Sequence, residues 1–540
     1  MRRLLFLLAL AALPFAGHAA PPGLDGLDRA PQVRLSPAAV RSLLTAHQHE
    51  PLRFAVGTAL AVDHTSGAWD EPQAGWSRWR LRIASDAARA LSFEMRDLQL
   101  PPGAELWVCG SDGHDRQGPL AVGDAGSTWT PLVRGNEAVI EVQLPSTRRA
   151  DFHVGGVQAF HAYRDIGSAV SAQSFPTSPD GDTGNGASGD CNIDVACPDG
   201  NNWRDEIRAT VLLTVGGSAL CSATLINNAL QDDRPLLLTA NHCGISTRNV
   251  ASTIAYFNVQ RSACGGGSVG TVTQNVRARS LLASSSPSTD TDYALIELAN
   301  KPPPSFNVHY AGLDVSGTVP TSGVGIHHPA GDDKKISTFT MPAASSANVC
   351  IGTRCGTLGD GFQVDAWAVV WTRGTTEAGS SGSGLWNPAG RVVGTLSGGS
   401  GQCPSSTGNN GGVDYYARLD RAWTAASAGS GLTLKSLLDP QDSGCLQFAG
   451  KNPGSATALS CRSGPPPVDA GGNESGASGS GGGGGGFGLG YGLVPMLLAG
   501  LLRRRQRRFA AQSASAGPPQ RPRAQPSPAG QRACSGTDQA

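Results

Sequence analysis

Between residues 191 and 452 the chain repeats short apolar runs punctuated by Gly, Pro, Ser and Asn. Residues 209–215, 235–239, 294–298, 368–371 and 391–396 are strand-sized and rich in aliphatic side chains. No long helical period intervenes, and only residues 432–438 carry a helix-like pattern. Strands without crossover helices build an all-β barrel rather than a βαβ sheet. The span has the length for two small barrels. The chain's 72 Gly and 36 Pro suit the many turns this requires. Zero formal net charge and a charged fraction of only 16% exclude the basic footprint of a nucleic-acid binder.

The remaining regions follow from composition. Arg2 and Arg3, the apolar residues 4–15 and Gly17-His18-Ala19-Ala20 predict a signal peptide over 1–20, hence a secreted protein. Residues 21–185 read as a β-rich domain, because 79–83 and 138–144 alternate as half-buried strands do. The stretch 174–190 has a flexible, cleavable linker composition. After the main body, 453–486 is a Gly/Ser-rich linker and 487–508 an apolar segment closed by Arg503-Arg504-Arg505-Gln506-Arg507-Arg508. That order fits transient membrane insertion with Arg on the cytoplasmic side. Residues 509–540 have the composition of a disordered tail. Ten of the twelve cysteines fall between 191 and 461, an even set free to pair in an oxidising compartment, with Cys109 and Cys534 outside it.

Three segments carry chemistry. Gly379-Ser380-Ser381-Gly382-Ser383 sets a Ser among glycines, where a hydroxyl and adjacent backbone N–H groups can converge. In a chain this rich in Gly and Ser, the segment taken alone is a weak signal and reads first as a surface loop. Leu236-Leu237-Leu238-Thr239-Ala240-Asn241-His242-Cys243 is an apolar strand ending in a candidate general base. A zinc site would need paired ligands, and Cys243 has no Cys-x-x-Cys neighbour, so no metal is expected. Asp292 enters the apolar run 294–298, where a carboxylate can orient an imidazole, although a strand-capping role fits it as well. The order His242, Asp292, Ser381 is that of chymotrypsin-like enzymes. α/β-hydrolases and subtilisins use other orders, and Ser383 stands where a lipase elbow needs its second Gly. A non-catalytic binding module of the same fold at the cell surface is the alternative. All three triad residue types argue against it.

These motifs closely resemble the bacterial lysyl endopeptidases, a branch of the trypsin-like serine proteases. The resemblance begins at Gly189-Asp190-Cys191 and Cys197-Pro198. It runs through Ile226-Asn227-Asn228 and Ile326-His327-His328-Pro329, and ends near Leu438-Asp439-Pro440 and Gln447-Phe448. It implies two six-stranded antiparallel barrels over 186–452, preceded by a propeptide. It also implies a cofactor-free serine endopeptidase that acts on protein or peptide substrates, expected as a monomer. The triad His242, Asp292 and Ser381 would work with an oxyanion hole from the Gly379 and Ser381 N–H groups. Disulfides Cys191–Cys403, Cys197–Cys264 and Cys221–Cys243 are implied as well. Proximity alone suggests Cys350–Cys355 and Cys445–Cys461. Asp414 matches the residue at the base of the primary specificity pocket, which points to cleavage after Lys, with Arg as second candidate. Ser397, Gly398 and Gly399 would pair with substrate backbone.

Two departures stand out. Ser397 occupies a position where lysyl endopeptidases carry a His that supports an aromatic stack near the catalytic His. No Lys or Arg lies between Asp165 and Trp203, so self-cleavage would have to use Arg164 or another protease must act. The tail resembles the GlyGly C-terminal sorting tags of exported bacterial proteins, which implies signal peptidase and a tag-processing protease as partners. Only five lysines occur (Lys301, Lys334, Lys335, Lys435 and Lys451), leaving 37 of the 42 basic residues as Arg. Codon bias is the plain explanation. A scarcity of Lys would also spare a Lys-cutting enzyme from itself.

Overall fold

The computed structural model describes residues 26–47, 50, 52–123, 126–167, 188–285, 289–355, 361–403 and 412–456. The expected signal peptide, most of the expected linker, Cys461, Cys534 and the tail from 457 onward lie outside the described residues.

The first region is β-rich, as its alternation predicts. One five-stranded sheet contains Trp76–Ala84 between Glu137–Pro145 and the short parallel strand Gln32–Arg34, with Ala68–Gln73 also pairing to it. A second is built around Gly156–Ala162, flanked by Ala55–Leu60 and Ala90–Arg96. Alternation sends Trp79, Leu81 and Ile83 into the core with Phe93, Leu106 and Ile140. The intervening arginines face the other way: Arg78 and Arg80 reach Asp70 at 2.7 and 2.9 Å, and Arg82 reaches Glu137 at 2.7 Å. The helix Pro37–His47 was not foreseen; it buries only Val40. Cys109 is a buried free thiol, and burial, helped by the Glu141 charge, pushes its pKa up to about 11.

Strands Thr210–Val215, Ala219–Ile226, Leu236–Thr239, Ala294–Leu298, Asn275–Ser284 and Ile254–Tyr256 close an antiparallel barrel in that order. Val211, Leu213, Leu225, Leu237 and Ile296 fill it. The second half departs from expectation. Its strands form a ten-stranded sheet, and a second closed barrel is not seen among the described residues. The strand Lys335–Phe339 pairs with Gly323–His327 and Ile193–Asp194, while Ala344–Ile351 pairs only with Phe362–Val369. Pro342, between those two strands, has no N–H to continue a ladder. The helix-like pattern near 432–438 becomes the short helix Leu434–Leu438, capped by Thr433 and Ser436.

The first region lies on the outside of the closed barrel. Phe54, Phe160, Ala162 and Ile166 share one buried cluster with Leu212, Leu220, Ile254 and Tyr256. Backbone bonds reinforce it: the Phe54 N–H reaches the Ser218 carbonyl at 2.9 Å and the Leu220 N–H reaches that of Leu52 at 2.8 Å. Gly217 makes the approach possible, since a Cβ there would sit 2.8 Å from the Phe160 ring.

Candidate active site

His242 and Asp292 are brought together by strand pairing. Leu236–Thr239 and Ala294–Leu298 are antiparallel neighbours with Thr239 opposite Ala294. His242 leaves the end of the first strand in the turn Asn241–Cys243, and Asp292 stands just before the second. Asp292 is buried, and both its oxygens bind one residue: Oδ2 lies 2.7 Å from His242 Nδ1, and Oδ1 accepts the His242 backbone N–H at 3.0 Å. Its carbonyl accepts the Thr395 hydroxyl at 2.8 Å. Burial opposes both charges. On Asp292 it is outweighed by the His242 charge and hydrogen bond, with help from the Ser397 hydroxyl, and the carboxyl is held below its usual range. The Ser397 hydroxyl faces the carboxylate without completing a well-aligned bond. On His242, burial is outweighed by Asp292, and its pKa is raised.

Ser381 reaches this pair from the second sheet. Its carbonyl accepts the Ser222 N–H at 2.8 Å and lies 3.9 Å from Cys243 Sγ, the neighbour of His242. Cys221–Cys243 links the Ser222 and His242 segments. Among the described residues the Ser381 hydroxyl makes no hydrogen bond, and neither does His242 Nε2. Such contacts are commonly loose before substrate binds.

The N–H groups of Gly379 and Ser381 have no protein acceptor among the described residues. Their directions are set from behind, because a trans peptide points its N–H opposite its carbonyl. The Ala378 carbonyl accepts the Ala330 N–H at 2.6 Å, and the Ser380 carbonyl accepts that of Ser383 at 3.1 Å. Ala330 holds a left-handed φ of 54° to do this, local strain of the kind that marks functional turns.

Asp414 begins the strand Asp414–Arg418, beside the strand Arg391–Gly399, with Gly399 opposite it. It is 1% exposed. Oδ2 accepts Trp371 Nε1 at 2.6 Å and the Thr376 hydroxyl at 2.7 Å, and Oδ1 accepts the Gly401 N–H at 3.0 Å. Glycine at 399 lets the strand close over the carboxylate, since a Cβ would stand 2.2 Å from Oδ1. Burial outweighs these three bonds and raises the Asp414 pKa. Among the described residues no cationic side chain pairs with it. Ser397 is a bulged residue between the pairs Leu396–Tyr416 and Gly398–Tyr415. Leu396 still exchanges backbone bonds with Ser383 and Gly382 at 2.9 Å; beyond it the strand pairs only on its Asp414–Arg418 side, so among the described residues the other edge of 397–399 is open.

Four expected disulfides are present: Cys191–Cys403, Cys197–Cys264, Cys221–Cys243 and Cys350–Cys355. Cys445 is also disulfide-bonded; its expected partner Cys461 lies outside the described residues. Sequence reasoning missed Phe362, whose ring stacks on His242 with centroids 5.5 Å apart and planes 22° apart. The departure at Ser397 pointed to a changed stack but gave no location for it.

Residues 185–417 match the family model "Lysyl endopeptidase, C-terminal domain". A lysyl endopeptidase of Pseudomonas aeruginosa is 27% identical over 408 residues, which cover 70% of this chain and 81% of that protein. Two solved structures are also similar. An HtrA-type protease, AlgW with a tripeptide, is 19% identical over 45% of this chain and 64% of its own, with a TM-score of 0.28. A Glu endopeptidase is 17% identical over 43% and 95%, with a TM-score of 0.27. Residues 185–417 thus resemble the C-terminal domain of lysyl endopeptidases, and the chain is a serine endopeptidase acting on proteins or peptides.

Proposed function

We propose that this endopeptidase cleaves after Lys, with Arg as the second choice, through an acyl-enzyme on Ser381. The observation that carries the specificity is the Asp414 carboxylate, buried and lacking a cation among the described residues. A buried unpaired charge is costly, so the site favours a substrate that brings the missing positive group. His242 Nε2 takes the Ser381 proton as the hydroxyl attacks the scissile carbonyl, and Asp292 stabilises the imidazolium. The Gly379 and Ser381 N–H groups receive the oxyanion. The same imidazolium protonates the leaving amine. Water then hydrolyses the ester by the reverse proton path, and no cofactor enters. The open edge at Ser397, Gly398 and Gly399 pairs with the substrate backbone.

The chain's own lysines support the Lys reading. Lys334, Lys335 and Lys451 are buried, Lys435 lies in a helix, and exposed Lys301 precedes Pro302. Many arginines carry no such protection, Arg34 and Arg373 among them. The export reading rests on the sequence of residues 1–20 and on the disulfides. On this reading the domain before residue 186 is a propeptide, another protease opens the segment that joins it, and the mature enzyme is a monomer. The apolar segment with its Arg cluster serves as a transient anchor or sorting tag.

The test is to digest a denatured protein mixture and read the residue preceding each new N-terminus. Dominance of Lys supports the reading, and dominance of apolar residues overturns it. Ser381→Ala must also abolish fluorophosphonate labelling.

A further inference from the structure

His327 is fully buried and lies outside the triad, yet it touches the loop that carries Ser381. Its Nδ1 is 2.8 Å from the hydroxyl of Ser380, the residue before Ser381, and its Nε2 is 3.1 Å from the Ser337 hydroxyl. The direction of each bond follows from proton supply. Ser337 gives its one hydroxyl proton to the Thr375 carbonyl at 2.7 Å, so it can only accept from His327. Nε2 therefore carries the ring proton, and Nδ1 accepts from Ser380. Ser380 in turn accepts the Glu377 N–H at 3.2 Å. The relay starts and ends on the same loop, at Glu377 and at Thr375. It requires a neutral ring, and burial, aided by the Lys335 charge, pushes the His327 pKa down to about 3.

This loop joins both halves of the site. Thr376 donates to Asp414, while the carbonyls of Gly379 and Ser381 are tied to the hydroxyl and N–H of Ser222. The Ser380 side chain adds a further tie between those two carbonyls, to His327 at the end of the strand Gly323–His327. We propose that His327 is a positioning residue for the oxyanion hole, holding Ser380 so that the Gly379 and Ser381 N–H groups keep one orientation. It touches neither substrate nor reacting atoms. The proposal rests on Ser381 being the nucleophile.

The experiment compares Ser380→Ala, His327→Leu, the double variant and His327→Asn in the full chain after activation. Misplacing a group by about 1 Å can cost on the order of 10²-fold in rate. Ser380→Ala should lower kcat about 10- to 100-fold, leave KM within about twofold, and slow fluorophosphonate labelling in parallel. His327→Leu should match it, and the double variant should be no worse than either, because both changes break one relay. His327→Asn keeps an acceptor facing Ser380 and should recover most of the rate. Binding of an alkylammonium ion to the Asp414 pocket should not change in any of them. Full labelling speed in Ser380→Ala overturns the proposal. So does additive loss in the double variant, or loss of alkylammonium binding in step with kcat. If His327→Leu does not fold, Ser380→Ala and His327→Asn still decide it. Persistent labelling of Ser381→Ala would instead sink the nucleophile assignment.

Discussion

Phe362 covers one face of the His242 ring, with centroids 5.5 Å apart and the planes tilted by only 22°. It comes from the strand Phe362–Val369 of the second sheet, so a residue of one half shields the imidazole of the other. The contact keeps water from one side of the His242–Asp292 pair and narrows the motion of the ring. Aromatic pairs of this kind contribute about 0.5–1.5 kcal/mol beyond area burial, or about 2- to 10-fold in rate. Phe362→Leu should lower kcat/KM by that factor, and Phe362→Trp should keep it. Steady-state kinetics on a Lys amide substrate reads the difference.

The His242–Asp292 pair fixes the acid limb of the pH profile. The neutral imidazole is the working form, so activity falls as pH drops through its pKa. Asp292 raises that pKa, so the limb in kcat/KM should lie above the ordinary value of about 6.5. Asp292→Asn removes the opposing charge but leaves the burial. The limb should then move to lower pH while kcat drops by about 10⁴-fold. A limb that stays in place would mean that the profile reports another group.

Asp414 should govern substrate choice and not the chemical step. Asp414→Asn keeps the shape and most of the bonds to Trp371, Thr376 and Gly401, but leaves a bound Lys side chain without its counter-charge. Removing one partner of a buried pair costs about 3–5 kcal/mol. The kcat/KM for a Lys substrate should fall by at least about 100-fold. Fluorophosphonate labelling, which needs no cation in the pocket, should fall far less.

The parts legible in the sequence were those carried by local pattern. His242 and Asp292 each sit at the end of an apolar run, and strand alternation located Trp79, Leu81 and Ile83 in the core. Contacts set by tertiary placement were not legible. Phe362 is one aromatic among many until its strand is folded beside the first barrel. In the sequence His327 is one of a His-His pair, and nothing in its neighbours tells that Ser380, 53 positions on, is its partner. The packing of the first region on the barrel was hidden for another reason. Phe160, His161 and Ala162 are buried in succession, so one face of that strand serves its own sheet and the other serves the barrel. A two-residue period cannot assign two different partners.

That docking predicts what happens when the joining segment is cut. Gly167 donates to the Gly331 carbonyl at 2.9 Å, and Ser188 donates its hydroxyl to Asp332 at 2.6 Å, so the residues that flank 168–187 bind adjacent positions. Cleavage between them leaves the cluster around Phe160 and Leu220 intact. The two pieces should therefore co-elute in size-exclusion chromatography after cleavage. Gly217→Ala puts a methyl group against the Phe160 ring at a position with φ of 64°, and should release the N-terminal piece. Separation of the wild-type pieces at once would show that the joining segment alone holds them together.

Lys301 offers the last check, because it is the exposed lysine that precedes a proline. Proline after the scissile position removes the N–H and fixes φ, which disfavours the extended pairing a protease imposes on its substrate. Lys301 also donates to the Asp232 carbonyl at 2.8 Å, which is too weak a tether to keep it from solvent. Pro302→Ala should therefore create a self-cleavage site: on concentration, a new N-terminus should appear directly after Lys301, and Ser381→Ala in the same chain should suppress it. Cuts after exposed arginines such as Arg373, with Lys301 spared, would mean that the pocket around Asp414 prefers a guanidinium and that Arg is the primary substrate.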